Sequence, residues 1–339
     1  YWKRSGIGRC NERIRNKKRL IMKVLANDGI SASGINKLEN SGFEVITEKV
    51  NQSDLIEFIN NQNIEVILVR SATQVRKDII DNCPSIKIIG RGGVGMDNID
   101  VAYAKEKGIE VINTPAASSQ SVAELVMAHL FSISRFVFDS NRNMPKNGES
   151  DFKILKKKYA KGIELRGKTI GIIGFGRIGQ FTCKYALGAG MNVKAYDPFM
   201  KKAVIDIDIA HQKIHVPIET CSLNELLTTS DFISLHVPMP EDGKPVLGLN
   251  EFEAMKNGVR IVNAARGGVV DEDALIEAIN SDKVSFAALD VFVGEPHPSI
   301  EILKNQNISL TPHIGAATSE AQDRIGIELA DKIINFYNQ

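Results

Sequence analysis

A chain of 339 residues is long enough for about two domains of ordinary size. Hydrophobic residues make up 43% and charged residues 24%, with 27 Gly and 11 Pro, which excludes a disordered or collagen-like polymer and fits a globular protein. The most apolar stretch, Val122 to Phe138, is interrupted by Glu124, His129 and Arg135, so it falls short of the roughly 20 residues a membrane helix needs and no membrane partner is expected. Cys10, Cys83, Cys183 and Cys221 are scattered without a CxxC pair. That pattern suggests no disulfide framework and no metal site, and it suits a reducing cytoplasm.

The net charge of +1 conceals an asymmetry. Residues 1–21 carry eight Lys or Arg against Glu12 alone, while the remainder holds 34 basic and 40 acidic residues. A basic tail can serve nucleic acid or act as an organelle address. Here Ser5 is its single Ser or Thr, it has no apolar stripe, and strand-like sequence begins near Met22. It therefore reads as an upstream extension outside the fold, with no nucleic-acid partner.

From residue 22 short β-branched runs alternate with helical periodicity. Strands are predicted at 20–26, 43–47, 65–70, 87–90 and 110–113, with helices between them, for instance at 33–40 and 53–60. A long helix follows at 118–138, then a polar, lysine-rich stretch at 144–161. A second series places strands at 169–174, 193–196, 232–237, 260–263, 286–290 and 309–311, and a closing helix at 318–337. The alternation predicts an α/β protein of two doubly wound, Rossmann-like units with parallel sheets. The cleft between them is the default site. Segment 199–218, with two histidines and an Ile/Asp alternation, has no structure assigned at this level.

The sharpest local signal is TIGIIGFGRIG at 169–179. A buried strand runs into Gly174, Gly176 and Gly179 at G-x-G-x-x-G spacing and then into a helix. The first glycine makes the turn, the second lets a pyrophosphate approach the backbone, and the third lets helix and strand pack closely. Helix N-terminal amides then face the anion. Asp197 ends the next strand, where a carboxylate accepts hydrogen bonds from ribose hydroxyls and repels a 2′-phosphate. NAD is thereby preferred to NADP, although Lys201 and Lys202 lie close in sequence.

These residues, together with VRSAT (69–73), GRGGVGMDNID (90–100), NTP (113–115), HVP (236–238), NAARGGVVDE (263–272), ALDVFVGEP (288–296) and TPHIGAAT (311–318), carry a family likeness. The chain resembles the NAD-dependent D-2-hydroxyacid dehydrogenases, most closely the branch that acts on 3-phosphoglycerate in serine synthesis. By this resemblance Arg266, Glu295 and His313 are the catalytic residues. Hydride transfer at C2 of a 2-hydroxy acid needs a proton carrier at the C2 oxygen, and imidazole, which titrates near neutrality, suits His313. A neighbouring carboxylate, Glu295, would stabilise the imidazolium. Arg266 offers a forked cation to orient the substrate carboxylate or keto oxygen.

The same resemblance implies cofactor contacts at Val94, Arg177, Ile178, Val237, Ala264, Ala265, Arg266, Asp290, His313, Gly315 and Ala316. Substrate contacts are implied at Arg70, Ser71, Arg91, Gly93, Val94 and Gly95. Arg70 and Arg91 suit the phosphate of a phosphorylated 2-hydroxy or 2-oxo acid, and the glycines at 92, 93 and 95 allow backbone amides to converge on an anion. His129 reads as a core histidine, and His236 as a cofactor-lining strand end. The lysines at 153, 156, 157 and 158 either form a solvated face or reach a partner subunit. The implied architecture is discontinuous, with a substrate-binding domain at 22–117 and 314–339 and an NAD-binding domain at 118–313. A homodimer is expected, without the C-terminal regulatory domain of longer relatives. Two other functions stay open, a reductase of hydroxypyruvate, glyoxylate or another unphosphorylated 2-oxo acid, and an NAD(H)-sensing, corepressor-like binding protein.

Overall fold

The computed structural model describes residues 21–339, so the basic extension lies outside the described residues but for Ile21. The first series runs β1 (Met22–Ala26), α1 (Ala32–Asn40), β2 (Phe43–Ile46), α2 (Leu55–Gln62), β3 (Val66–Val69), α3 (Lys77–Asn82), β4 (Ile88–Arg91), α4 (Val101–Glu106) and β5 (Glu110–Asn113). Two helices, α5 (Ser119–Arg135) and α6 (Val137–Lys158), lead to β6 (Thr169–Ile173), α7 (Arg177–Gly188), β7 (Asn192–Tyr196), β8 (Lys202–Ile209) and β9 (Gln212–Glu219). The chain continues through α8 (Leu223–Thr229), β10 (Phe232–Leu235), α9 (Leu249–Ala254), β11 (Val259–Asn263) and α10 (Glu272–Asn280). It ends with β12 (Val284–Leu289), α11 (Ile300–Lys304), β13 (Ile308–Leu310) and α12 (Ser319–Tyr337).

Strands such as β3 and β10 are buried along their whole length because helices cover both sheet faces, which is why their residues do not alternate with polar ones. The first sheet has the order β2-β1-β3-β4-β5 and the second β7-β6-β10-β11-β12-β13, with every pairing parallel. In each sheet the chain first steps to one side of its starting strand and then to the other. The gaps between β1 and β3, and between β6 and β10, are therefore switch points where crevices open at the carboxyl ends. Helix α12 packs on the first sheet, sending Ile325, Leu329, Ala330 and Ile333 into the cluster that holds Val24, Val66 and Ile88. Helix α5 packs on the second sheet through Val122, Val126, Leu130 and Ile133.

Two sequence expectations need correction. The helix placed at 118–138 stops at Arg135, because Phe136 takes a left-handed conformation (φ 56°) and α6 leaves at an angle of 60°. The polar stretch 144–161, to which the sequence assigns no element, is mostly helical. Polar contacts tie the two ends of this helical segment together, with buried Asp139 accepting hydrogen bonds from Lys158 Nζ (2.6 Å), Tyr159 Oη (2.8 Å) and Asn143 Nδ2 (3.0 Å), while Phe138 packs it on the second core. Apolar periodicity does not register such a helix. No single helix among the described residues is long and apolar enough to cross a membrane, and the α5–α6 pair passes only jointly and bent.

Segment 199–218 contains most of the antiparallel β8–β9 hairpin, which turns at Ala210. Its Ile/Asp alternation sorts Ala203, Ile205, Val216 and Ile218 toward the second core and Asp206 and Asp208 toward solvent. Because α12 completes the first core from far along the chain, Leu329→Ala is expected to cost about 2–5 kcal/mol, read as a lower urea midpoint. An unchanged midpoint would mean that α12 contributes little to that core.

Candidate active site

The second switch point carries the glycine turn. Gly174 sits at φ +90°, and a Cβ there would lie 2.6 Å from the His236 carbonyl oxygen; one at Gly179 would lie 2.2 Å from the Gly174 oxygen. Gly176 faces open space at the start of α7, and no side chain among the described residues caps that helix. Arg177 is exposed beside it, Ile178 half-buried, and Val237 packs against the turn. The turn therefore leaves room and unpaired amide dipoles for a pyrophosphate. Asp197 stands at the end of β7, with Oδ2 accepting from Phe175 N (2.8 Å) and Oδ1 from Phe199 N (2.9 Å) and Met200 N (3.1 Å). The carboxylate thus braces the glycine turn and keeps lone-pair capacity for a ribose hydroxyl. These residues fit an NAD pyrophosphate and ribose. Burial pushes the His236 imidazole down to about 3, so it is neutral beside Ser234 Oγ.

Three neighbouring strands present the chemistry from their carboxyl ends. At the end of β11, buried Asn263 shapes the turn by accepting from Ala265 N (3.0 Å) and donating to Arg266 O (3.0 Å). This fixes Ala264, Ala265 and Arg266. After β12 come Asp290 and Glu295, and after β13 comes His313. Glu295 Oε1 accepts from Phe292 N (2.9 Å), which anchors the carboxylate, while Oε2 meets His313 Nδ1 at 2.8 Å. The ring donates through Nδ1, so Nε2 is the nitrogen available for a substrate. His313 has φ +54°, a conformation that costs a side-chain-bearing residue about 1–3 kcal/mol and needs outside support. Buried Asp290 supplies it, accepting from Ile314 N (2.8 Å) and Gly315 N (2.9 Å); Ala316 follows in the same loop.

The facing crevice of the first sheet gathers arginines. Arg70 follows β3 and Arg91 ends β4. Arg91 Nη1 and Arg266 Nη2 occupy the space that side chains at Gly93 and Gly95 would need. Burial, then the nearby Arg266, pushes the Arg91 guanidinium down to about 10; Asp97 opposes the shift and Arg70 adds to it. The buried Arg91 Nε has no hydrogen-bond partner among the described residues. Arg266 pairs with Asp97 across the two units (Nε–Oδ2 3.3 Å) and donates to Ala265 O (2.7 Å).

The expected glycine nest takes a different form, since Gly92 N donates to Val69 O and Gly93 N to Arg91 O. Gly93 contributes space for an arginine rather than an amide. Val94 and Ser71 are exposed at the rim. Lys158 is tied to Asp139, whereas Lys153, Lys156 and Lys157 are exposed on α6.

Sequence reasoning missed the residues that hold Arg70. Its amide donates to Asp28 Oδ2 (2.7 Å), its carbonyl accepts from Asn98 Nδ2 (2.9 Å), and Asp28 also binds Thr73 N (3.0 Å), Thr73 Oγ1 (2.7 Å) and Lys49. The Asp28 carboxyl is below its ordinary range: burial raises it, and the hydrogen bonds from Lys49, Arg70 and Thr73 outweigh that. Asp28 follows β1 at the first switch point, a position that topology would have singled out. Asp97 and Asn263 lay within recognised motifs without an assigned role.

Comparisons with known proteins agree with this geometry. Residues 127–315 match the D-isomer specific 2-hydroxyacid dehydrogenase, NAD binding domain. The chain is 45% identical over 316 residues to a hydroxypyruvate reductase of Thermotoga maritima, covering 92% of this chain and 97% of the relative. It is 41% identical to a D-3-phosphoglycerate dehydrogenase of Methanocaldococcus jannaschii, covering 92% of this chain but 57% of that longer relative. The crystal structure of cofactor (NAD+)-bound 3-phosphoglycerate dehydrogenase from Entamoeba histolytica superposes with TM-score 0.74 at 27% identity, covering 94% of this chain and 96% of that one. The chain belongs to the D-isomer specific 2-hydroxyacid dehydrogenase family and carries that family's NAD-binding domain.

Proposed function

We propose that this chain interconverts 3-phosphoglycerate and 3-phosphohydroxypyruvate with NAD(H), a reaction that would feed serine synthesis. The observation that carries the reading is the convergence of Arg70, Arg91 and Arg266 on the turn of Gly92, Gly93 and Gly95, with Gly267, next to Arg266, packed against Phe292 on the loop that bears Glu295. Three arginines packed on one glycine turn, one of them half-buried with an Nε that finds no partner among the described residues, form a site that favours a strongly anionic ligand. A carboxylate and a phosphate on one small molecule match that charge better than a carboxylate alone.

The residues divide the work as follows. Arg70 and Arg91 hold the phosphate, and Arg266 orients the carboxylate or keto oxygen. His313 Nε2 takes the proton from the C2 hydroxyl in oxidation and returns it to the C2 oxygen in reduction. Glu295 fixes the ring through Nδ1 and stabilises the imidazolium. Gly174, Gly176, Arg177, Ile178 and Gly179 would hold the NAD pyrophosphate and Asp197 a ribose. Val94, Val237, Ala264, Ala265, Asp290, Gly315 and Ala316 would line the nicotinamide side. When bound, the nicotinamide accepts or supplies the hydride at C2.

A second reading, reduction of hydroxypyruvate itself, is favoured by the Thermotoga maritima relative, which this chain matches over 97% of its length. A homodimer is proposed because Phe131, Val137, Met144, Phe152 and Ile154 are exposed on α5 and α6, an apolar surface suited to a second copy. Free Cys83, Cys183 and Cys221 suit a reducing compartment, which supports a cytoplasmic location.

Three measurements test these assignments. His313→Gln is expected to lower kcat by about 10²–10⁴ while NADH still binds; undiminished turnover would remove His313 from its role. Arg70→Ala should reduce kcat/KM for phosphohydroxypyruvate about 10- to 100-fold more than for hydroxypyruvate, and equal losses would favour the second reading. Gly176→Ala should weaken NADH binding at unchanged thermal stability, whereas Gly179→Ala should lower the Tm itself; equal behaviour of the two variants would contradict the division between ligand space and packing.

A further inference from the structure

We propose that His129 is a positioning residue for His313, acting through Thr311 and Asp290 to hold the loop after β13 in its left-handed turn. The proposal rests on the reading of His313 as the proton carrier. His129 lies in α5, is 3% exposed, and does not reach the crevice by its own hydrogen bonds. Its periodic position among Val122, Val126, Leu130 and Ile133 is one that Leu or Met would fill without burying polar atoms.

The direction of every link in the chain follows from proton counting. Thr311 Oγ1 donates its single proton to Asp290 Oδ1 at 2.6 Å. Its contact with His129 Nε2 at 3.0 Å must therefore run the other way, with the ring as donor. His129 Nδ1 then has its lone pair toward Ser309 Oγ at 3.5 Å. A neutral ring with its proton on Nε2 satisfies both contacts, and burial, opposed by Asp290, lowers the imidazole below its ordinary value and favours the neutral form. Beyond Asp290 the chain ends on the amides of Ile314 and Gly315, the two residues that follow His313. His313 itself is at φ +54°. An alternative donor arrangement would leave Asp290 facing a second acceptor, so the network has one state and pins the backbone carrying the imidazole.

The test uses the full chain with whichever of phosphohydroxypyruvate and hydroxypyruvate it turns over. His129→Phe keeps the bulk and removes both ring nitrogens. It is expected to lower kcat about tenfold, with NADH stoichiometry and Kd changed less than about twofold, because a small displacement of the proton carrier affects turnover more than binding. His129→Gln, whose amide can donate near the Nε2 position, should restore kcat to within about threefold of the parent. Thr311→Val should match the loss in His129→Phe, and the double variant should lose no more than either alone. Parental kcat in a His129→Phe enzyme that binds NADH stoichiometrically overturns the proposal, as do multiplying losses in the double variant. If His129→Phe does not fold, Thr311→Val decides alone, and undiminished kcat there overturns it. Full turnover by His313→Gln would instead overturn the active-site reading, whereas an inactive His313→Gln beside a fully active His129→Phe would overturn only the coupling.

Discussion

The hydrogen bond between Glu295 and His313 joins two loops that leave neighbouring parallel strands, and much of the second unit is arranged around it. Strands β12 and β13 bring the two loops side by side, Phe292 N fixes the carboxylate from behind, and Asp290 holds the backbone on the far side of the imidazole. A ring held only by its own rotamer would sample several orientations. Held through Nδ1, the ring keeps one orientation and leaves Nε2 unengaged, which the proton transfer proposed for it would require. The cost of the left-handed residue at 313 is offset by the surrounding network, as strained backbone at functional sites requires.

Charge is arranged with the same economy. The arginines of the first unit and Arg266 of the second face one another across the crevice, and Asp97 is the acid in contact with Arg266. Arg91 is kept in place by packing against Gly93 and Arg266 by packing against Gly95, whereas Arg70 is held through its main chain and its side chain can adjust to the other two. The fold thus holds a concentration of positive charge that an isolated surface would relax by moving its side chains apart.

Much of this was legible in the sequence. The β-branched runs of both sheets were placed to within a few residues, because buried parallel strands read as continuous apolar segments. Gly174, Gly176 and Gly179 were legible because their spacing has a steric cause. The pairing of Glu295 with His313 was readable only through family likeness, since no local pattern links residues 18 positions apart on different loops. What was not legible depends on polar contacts distant in sequence. Helix α6 has its two ends tied together by Asp139 with Lys158 and Tyr159, which apolar periodicity ignores. The glycines at 92 and 93 read as an anion nest because their amide partners, Val69 and Arg91, appear only once the loop is folded. His129 looked like core because its neighbours in the helix are core.

The way Arg70 is held bears on how this scaffold diversifies. Asp28 and Asn98 grip its peptide group rather than its guanidinium, so the loop does not depend on which side chain projects from that position. On the proposed role of Arg70, a lineage could exchange the residue there, and with it the preferred chemistry at the far end of the ligand, while the supporting lattice of amide contacts stays intact. Selectivity set from that position would be a replaceable fitting on a fixed mount, letting descendants of one ancestral fold part ways in diet without first having to refold.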